Sequence, residues 1–401
     1  MKPSREGEDS KMQTTSPPKL WTRDLALLLG STVLLWTSFY FVSSVLPLYV
    51  VQRLRGGTAL VGLLAGMLDI TAIVTRPVCG WALDRWGRRQ IQLLFLLLFS
   101  AVVFSYSLAQ TVAILVIVRL AHGIPFAVTS TGGMTAAGDL SSAGRRGEGI
   151  GYYALAQTLA LAAGPALGFV VLGQGQFARS FVVAALMAAG AFLLAWAIRY
   201  PPVRDPTLKL SLRSMWESRV GWLSLVVLFV SLGYVGILAF LPLYARELHI
   251  PNAGVFFSLY AVGMALVRPG AGRVFDRRGP RLVVGAGLLL LAVAYLCLAW
   301  CKSLGGYLSA GFLYGLGYGA VMPSVQAMAA NVVPPARRGA ANATVLALFD
   351  VGMAAGGYLL GLLAERAGGY AVLYVLSAGL LVIPAVLFFA RAMPGYVKRE
   401  T

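Results

Sequence analysis

Twelve apolar stretches follow one another along this chain, at 26–50, 59–83, 92–110, 112–137, 149–172, 180–198, 220–244, 252–272, 283–301, 304–330, 341–363 and 371–392. An α-helix needs about 20 apolar residues to cross a hydrocarbon layer about 30 Å thick, and each stretch is near that length. Lipid offers backbone amides no partners, so each stretch must close its own hydrogen bonds, which makes it a helix. The connections are too short to hold further domains. Composition agrees: only 12% of residues are charged, against about 25% in soluble proteins. The expected fold class is an all-α integral membrane protein with 12 transmembrane helices.

The net charge of +18 would suit a nucleic-acid partner if it formed one basic face. Its placement argues otherwise. With residue 1 inside, the cytoplasmic segments hold 24 of the 33 Lys and Arg, the outer segments hold 6, and Arg76, Arg119 and Arg268 lie within spans. That bias places both termini in the cytoplasm and the chain in the cytoplasmic (inner) membrane, with no nucleic-acid partner. Residues 1–23 read as a disordered cytoplasmic tail lacking the apolar core of a secretory signal. Residues 24–200 and 220–392 read as six-helix units. The basic, proline-started segment 201–219 links them, and 393–401 is a tail. Cys79, Cys297 and Cys301 all sit in apolar spans and lack metal or redox spacing, so they read as small packing residues. No metal or cofactor is expected.

The two halves carry the same landmarks. Gly80-Trp81-Ala82-Leu83-Asp84-Arg85-Trp86-Gly87-Arg88-Arg89 recurs 192 positions later as Gly272-Arg273-Val274-Phe275-Asp276-Arg277-Arg278-Gly279-Pro280-Arg281. Arg76-Pro77 matches Arg268-Pro269, Gly123 matches Gly315, and Arg145-Arg146-Gly147 matches Arg337-Arg338-Gly339, all at that offset. Leu46-Pro47-Leu48-Tyr49 and Leu241-Pro242-Leu243-Tyr244 end spans one and seven. The order and sidedness are the same, so the halves are parallel repeats about an axis along the membrane normal.

This pattern resembles the major facilitator superfamily of secondary transporters over residues 24–392. The loop after span two is similar to that family's signature, with Gly80, Asp84, Arg85, Gly87, Arg88 and Arg89 in place. The resemblance implies two pseudo-symmetric six-helix bundles around a cavity that opens alternately to each side. Gly151, Gly164, Pro165 and Gly168 in span five resemble the antiporter signature of drug:proton exporters, with Ala160 and Phe169 where that signature has glycine. Small residues let helices approach closely, and a helical proline frees a carbonyl and bends the helix. Arg119 with Gly123 resembles the family's span-four arginine motif, with His122 where glutamine is common.

Several residues are candidates for mechanism. Gly87 permits a turn with φ > 0, and Gly80 a close approach. Asp84 and Asp276 end their helices where each could face a helix N-terminus of the other half, near Ala341-Asn342 and Gly149. Carboxylates there gain about 0.3–1 kcal/mol. With Gly272, Arg277 and Gly279, these residues form an expected cytoplasmic latch. Asp69 and Asp350 are the only acidic residues within spans. A carboxylate in that setting costs several kcal/mol unless paired or protonated, so Asp350, with Asp69 second, either carries the coupling proton or bonds across the two halves for packing. Arg119 could pair with an acid or order water. His122 could titrate near neutral pH or be simply hydrogen-bonded. Arg76 and Arg268 read as structural arginines that snorkel to the inner face. Tyr40, Ser43, Ser130, Tyr234, Ser324 and Gln326, with Gln157 from span five, are the expected substrate-cavity residues. That set is mostly neutral, which suits lipophilic or cationic cargo better than phosphorylated cargo.

No nucleophile-elbow, zinc-protease or phosphate-loop pattern is present, so no enzyme activity is expected. The expectation is a proton-coupled exporter of small amphiphilic molecules. Its partners are the lipid bilayer, a small-molecule substrate and protons, and it acts as a monomer. The alternative is uptake or facilitated transport of a small metabolite such as a sugar or organic acid.

Overall fold

The computed structural model describes residues 21–141, 146–202, 217–300, 302–333, 338–367 and 369–400. All regular structure among them is helical. The first half contains α1 (Arg23–Gln52), α2 (Thr58–Trp86), α3 (Arg88–Ser105), α4 (Val112–Asp139), α5 (Arg146–Leu172) and α6 (Phe177–Trp196). In the second half α7 is built from Gly221–Val235, a π-helical turn Gly236–Phe240, and Leu241–Glu247. It is followed by α8 (Gly254–Arg278), α9 (Pro280–Trp300), α10 (Leu304–Asn331) and α11 (Arg338–Ala367). The last helix, α12, runs from Ala371 to Glu400 in four pieces, with a π-helical turn at Phe388–Ala392. Helix therefore continues through Met393–Glu400, where the sequence suggests a tail. The expected tail at 1–20 and most of the linker, 203–216, lie outside the described residues.

Among the described residues, eleven helical stretches are long and apolar enough to cross a membrane. The twelfth, α10, has 28 residues and no charged side chain. Its glycines and tyrosines dilute its hydropathy. Helix starts are fixed by side chains that accept otherwise orphaned amides: Thr22 from Leu25 N, Thr111 from Ile114 N and Ser303 from Gly306 N. Gly87, with φ 96°, and Gly279, with φ 76°, turn the chain between α2 and α3 and between α8 and α9. Only glycine adopts such angles without strain.

The repeat is visible in the packing. Gly123 on α4 lies against the Leu68 carbonyl of α2, and Gly315 on α10 lies against the Tyr260 carbonyl of α8. Gly164 on α5 meets the Thr37 carbonyl of α1, and Gly356 on α11 meets the Leu232 carbonyl of α7. The tyrosine closing each Leu-Pro-Leu-Tyr segment ties down the end of a neighbouring hairpin. Tyr49 Oη donates to Ala109 O, and Tyr244 Oη donates to Leu298 O at 2.8 Å. Large apolar side chains such as Val74, Ile117, Leu186, Leu266 and Leu289 point outward and stay exposed. In a bilayer that surface is solvated by lipid tails, so it costs nothing to leave unpacked.

Two seams join the halves: α2 against α11, and α5 against α8. Glycines bring backbones together in both. Gly62 faces Gly357 and Gly361, and Gly66 faces Ala354. In the second seam Gly254 faces Ala166, and Ser258 Oγ donates to Ala162 O at 3.4 Å. Further contact comes from the far end of α1, which touches the π turn of α7 and Leu241–Glu247. Inter-half packing is thus tight at the membrane face opposite the one where α1 begins.

Candidate coupling and substrate site

Local helix chemistry places the central side chains. Pro242 has no N–H for the Leu238 carbonyl one turn earlier, and α7 widens into its π turn there. The turn brings Leu238 and Ala239 to a cavity of about 40 Å³, which also meets Phe39, Ser43, Leu64, Asp69, Arg119 and Met353. That is room for about three water molecules. Asp69 and Arg119 are its two charged walls. Both are buried. Arg119 Nε donates to Leu64 O at 2.9 Å, and Nη1 is buried without a hydrogen-bond partner.

Two turns along α2 from Asp69 lies Arg76. Its Nε donates to Asp350 Oδ2 at 2.6 Å, and Nη2 reaches Oδ1 at 3.5 Å. The Asp350 side chain is 1% exposed and that of Arg76 14%. Arg76 Nη1 also reaches Ser130 Oγ at 3.5 Å, and its guanidinium lies 6.0 Å from the Phe126 ring centroid. Arg76 therefore does not snorkel. A buried carboxylate on α11 holds it inside, because separating the pair would leave two unpaired charges in a medium of low dielectric. Arg268 does not snorkel either. Nη1 donates to Thr158 Oγ1 at 3.1 Å and to Ala154 O at 3.4 Å on α5, while Nε is buried without a partner.

Each half carries a cluster of packed aromatic side chains. Trp36, Phe39, Tyr40 and Phe126 form one, with Phe39 stacked on Phe126 at 4.2 Å. Tyr234 stacks on Tyr318 at 4.8 Å, with Phe349 at 6.1 Å, to form the other. The two clusters meet where the Tyr40 hydroxyl comes within hydrogen-bond reach of that of Tyr234. Of the cavity residues read from the sequence, Tyr40 and Tyr234 stand in these aromatic clusters, Ser43 lines the small cavity, and Ser130 meets Arg76. Gln157, Ser324 and Gln326 do not line the small cavity. Trp36, Phe126, Tyr318 and Phe349 are missing from the sequence reading because buried aromatic residues on apolar helices look like ordinary core.

His122 stands apart from the cavity. It is fully buried, shares a 3.0 Å hydrogen bond between Nδ1 and Tyr106 Oη, and packs edge-on against Phe99 at 4.8 Å. This is the hydrogen-bonded alternative. In the span-five motif Gly164 and Gly168 pack against α1, but a side chain at Gly151 would meet only open space. Pro165 lies inside α5.

Around the loop motif, Arg88 pairs with Asp139 at the end of α4, Arg89 Nη2 donates to Trp196 O at 3.4 Å, and Arg85 lies 5.4 Å from the Trp81 ring. These contacts stay within the first half. The side chains of Asp84 and Asp276, and hence the expected latch, lie outside the described residues. Gly272 and Gly279 make no close approach.

Comparison with known proteins places this geometry in a family. The sequence profile of the Major Facilitator Superfamily matches residues 28–256 and 223–400. The uncharacterized MFS-type transporter STM4428 of Salmonella typhimurium is 26% identical over 85% of this chain and 89% of its own. The staphylopine export protein of Staphylococcus aureus is 20% identical over 88% and 93%. Multidrug resistance protein MdtG of Citrobacter koseri is 23% identical over 94% and 96%. Among solved structures, a bacterial homolog of the human lysosomal transporter Spinster, inward-facing and occupied, superposes with a TM-score of 0.79 at 17% identity, covering 94% of this chain and 97% of that one. The twelve helices, the internal repeat and the profile match over both halves converge on one assignment: this chain is a membrane transporter of the major facilitator superfamily.

Proposed function

We propose that the protein exports small amphiphilic compounds by alternating access, powered by protons moving inward, with both termini in the cytoplasm. The observation that carries the reading is the buried Arg76–Asp350 pair, which bridges the two halves. A proton arriving at Asp350 removes the charge that holds Arg76 and so weakens one seam. Its departure restores the pair. A carboxyl group placed between two bodies that move against each other can thus link proton movement to their tilt. Proton entry supplies about 2.3 kcal/mol per charge per 100 mV. The aromatic faces that the two halves bring together suit flat apolar cargo once the halves part. The names of the relatives that export staphylopine or confer multidrug resistance support the outward direction. In this reading residues 24–200 and 220–392 are the two moving units, and the Asp84 and Asp276 turns latch the cytoplasmic side.

Proteoliposomes with an imposed pH gradient test the proposal. Dye should move against the proton flow in the wild type. Asp350→Asn should abolish the pH-driven component while dye binding remains measurable. Cargo moving in the same direction as protons would instead establish uptake, and full pH-driven activity in Asp350→Asn would remove the proposed role of that carboxyl.

A further inference from the structure

At the membrane face opposite the start of α1, the α2–α11 seam ends in polar contacts. Gly361 of α11 lies against the Thr58 carbonyl and Ala59 Cα of α2, and Thr58 Oγ1 donates to Gly361 O at 3.3 Å. One turn further along α11 stands Glu365. A β-carbon on Gly57 would lie 2.9 Å from Glu365 Oε1, so this carboxylate rests against the residue that opens α2. Glu365 forms no ion pair among the described residues. Its own helix gives it no reason to be there. Glu365 is in the last turn of α11, at the negative end of that helix, where a carboxylate is disfavoured. The positive end of α2 is what it meets. That end lacks a partner of its own: Gly57 has no side chain to offer, and the first turn of α2 holds no acidic residue. The first amides of a helix need an acceptor from outside. The α5–α8 seam solves this differently. Asn252 Oδ1 accepts from Gly254 N at 2.8 Å, so α8 is capped by its own chain. The position 192 before Glu365 is Gly173, which carries no charge. One helix of the first half is therefore completed by a side chain of the second.

We propose that Glu365 and the first turn of α2 form a latch that holds this face of the transporter shut. When the halves part here, the carboxylate leaves α2, the Thr58–Gly361 bond breaks, and α2 keeps an uncapped end that its own sequence cannot fill. Closing restores all three. Glu365 is exposed, so water solvates the separated groups and the latch stays weak enough to open on every cycle. With both termini in the cytoplasm, the latch is on the outer face and opposes the one at the Asp84 and Asp276 turns. The inference rests on the alternating access proposed above, and is independent of the cargo, its direction and the coupling ion.

The test is a pulsed spin-label distance measurement between Gln110 and Lys302 in the full-length protein in lipid nanodiscs, with Cys79, Cys297 and Cys301 changed to alanine. These two positions are exposed, 192 residues apart, and lie on the same face as the latch, one on each half. Glu365→Gln should raise the ratio of long to short distances about two- to fivefold, the scale of one carboxylate at a helix N-terminus. Gly57→Asp should raise it at least as much, because the new carboxylate caps α2 from its own chain and repels Glu365. An increase in that variant cannot come from fraying of α2, which the substitution stabilises. A ratio unchanged in either variant overturns the inference. A wild type that samples both distances while the variants leave their ratio untouched rejects the latch alone. A single short distance in the wild type and in both variants rejects the latch and counts against alternating access as well.

Discussion

The α2–α11 and α5–α8 seams are the same structure built twice, and they differ most where charge is involved. Both approach through glycine: Gly62 against Gly357 in one, Gly254 against Ala166 in the other. Both then reach an arginine. In the first seam a carboxylate 1% exposed receives it, and in the second a threonine hydroxyl does. Shape is therefore shared while electrostatics is divided. On the proposed mechanism, the salt bridge would make its joint respond to protons, and the neutral hydrogen bond would leave the twin unresponsive. Duplication supplies two matched seams, and an Asp-for-Thr difference at paired positions sets their chemistry apart.

The sharpest way to break this comparison is to make the seams alike. Asp350→Asn leaves Arg76 unpaired, and the cost should be about 3–5 kcal/mol, read as a lowered unfolding midpoint in detergent. Adding Arg76→Gln should recover most of that loss without restoring pH-driven transport. Recovery of transport in the double variant would show that the pair is only structural. A gentler probe addresses what the seams share. Gly62→Ala would push a methyl into the Gly357 backbone, and Gly254→Ala into Ala166 at 2.6 Å from its Cα. Each should cost about 1–3 kcal/mol, and markedly unequal losses would refute the symmetry. Next in size is a control away from both seams. Tyr106→Phe removes the partner of His122 and should cost about 1 kcal/mol, with proton-driven transport unchanged. A changed pH profile in that variant would return His122 to the coupling path. Last, and comparable to the Tyr106 loss, is Thr158→Ala, which deletes one hydrogen bond to Arg268. About 0.5–1.5 kcal/mol is expected, well short of the loss in Asp350→Asn when both are measured by the same thermal assay.

Much of the architecture was open to a reader of the chain, because lipid imposes one rule on every span and the repeat shows itself at a constant offset. Gly123 and Gly315, or Tyr49 and Tyr244, do in the structure the same work at matched positions. The site was less legible. Asp350 and Asp69 stand out as acids in apolar helices, yet nothing local in α2 says that Arg76 will meet a residue 274 positions away. Side-chain length pointed the other way, toward the membrane surface. Pairing across the axis depends on the rotation of each helix about its own length, and the low-contrast apolar pattern of a membrane helix does not set that rotation. The aromatic clusters were half visible. Tyr40 and Tyr234 carry hydroxyls that draw attention, whereas Trp36, Phe126 and Phe349 differ from lipid-facing aromatics only by where they point. The π turn of α7 follows from Pro242, but Pro47 at the matching place in α1 leaves that helix α-helical, so proline alone does not foretell it.

The glycine-rich α10 has a consequence for how the protein is made. Gly311, Gly315, Gly317 and Gly319 seat this helix against α8 and α9 at backbone distance, and the same residues strip it of the greasy side chains that let a nascent segment partition into lipid by itself. Its entry into the bilayer during synthesis should therefore lean on α8 and α9, and deleting those two helices should lower the fraction of α10 that inserts. A ribosome stalled just after α10 would expose a segment whose place in the membrane depends on its neighbours.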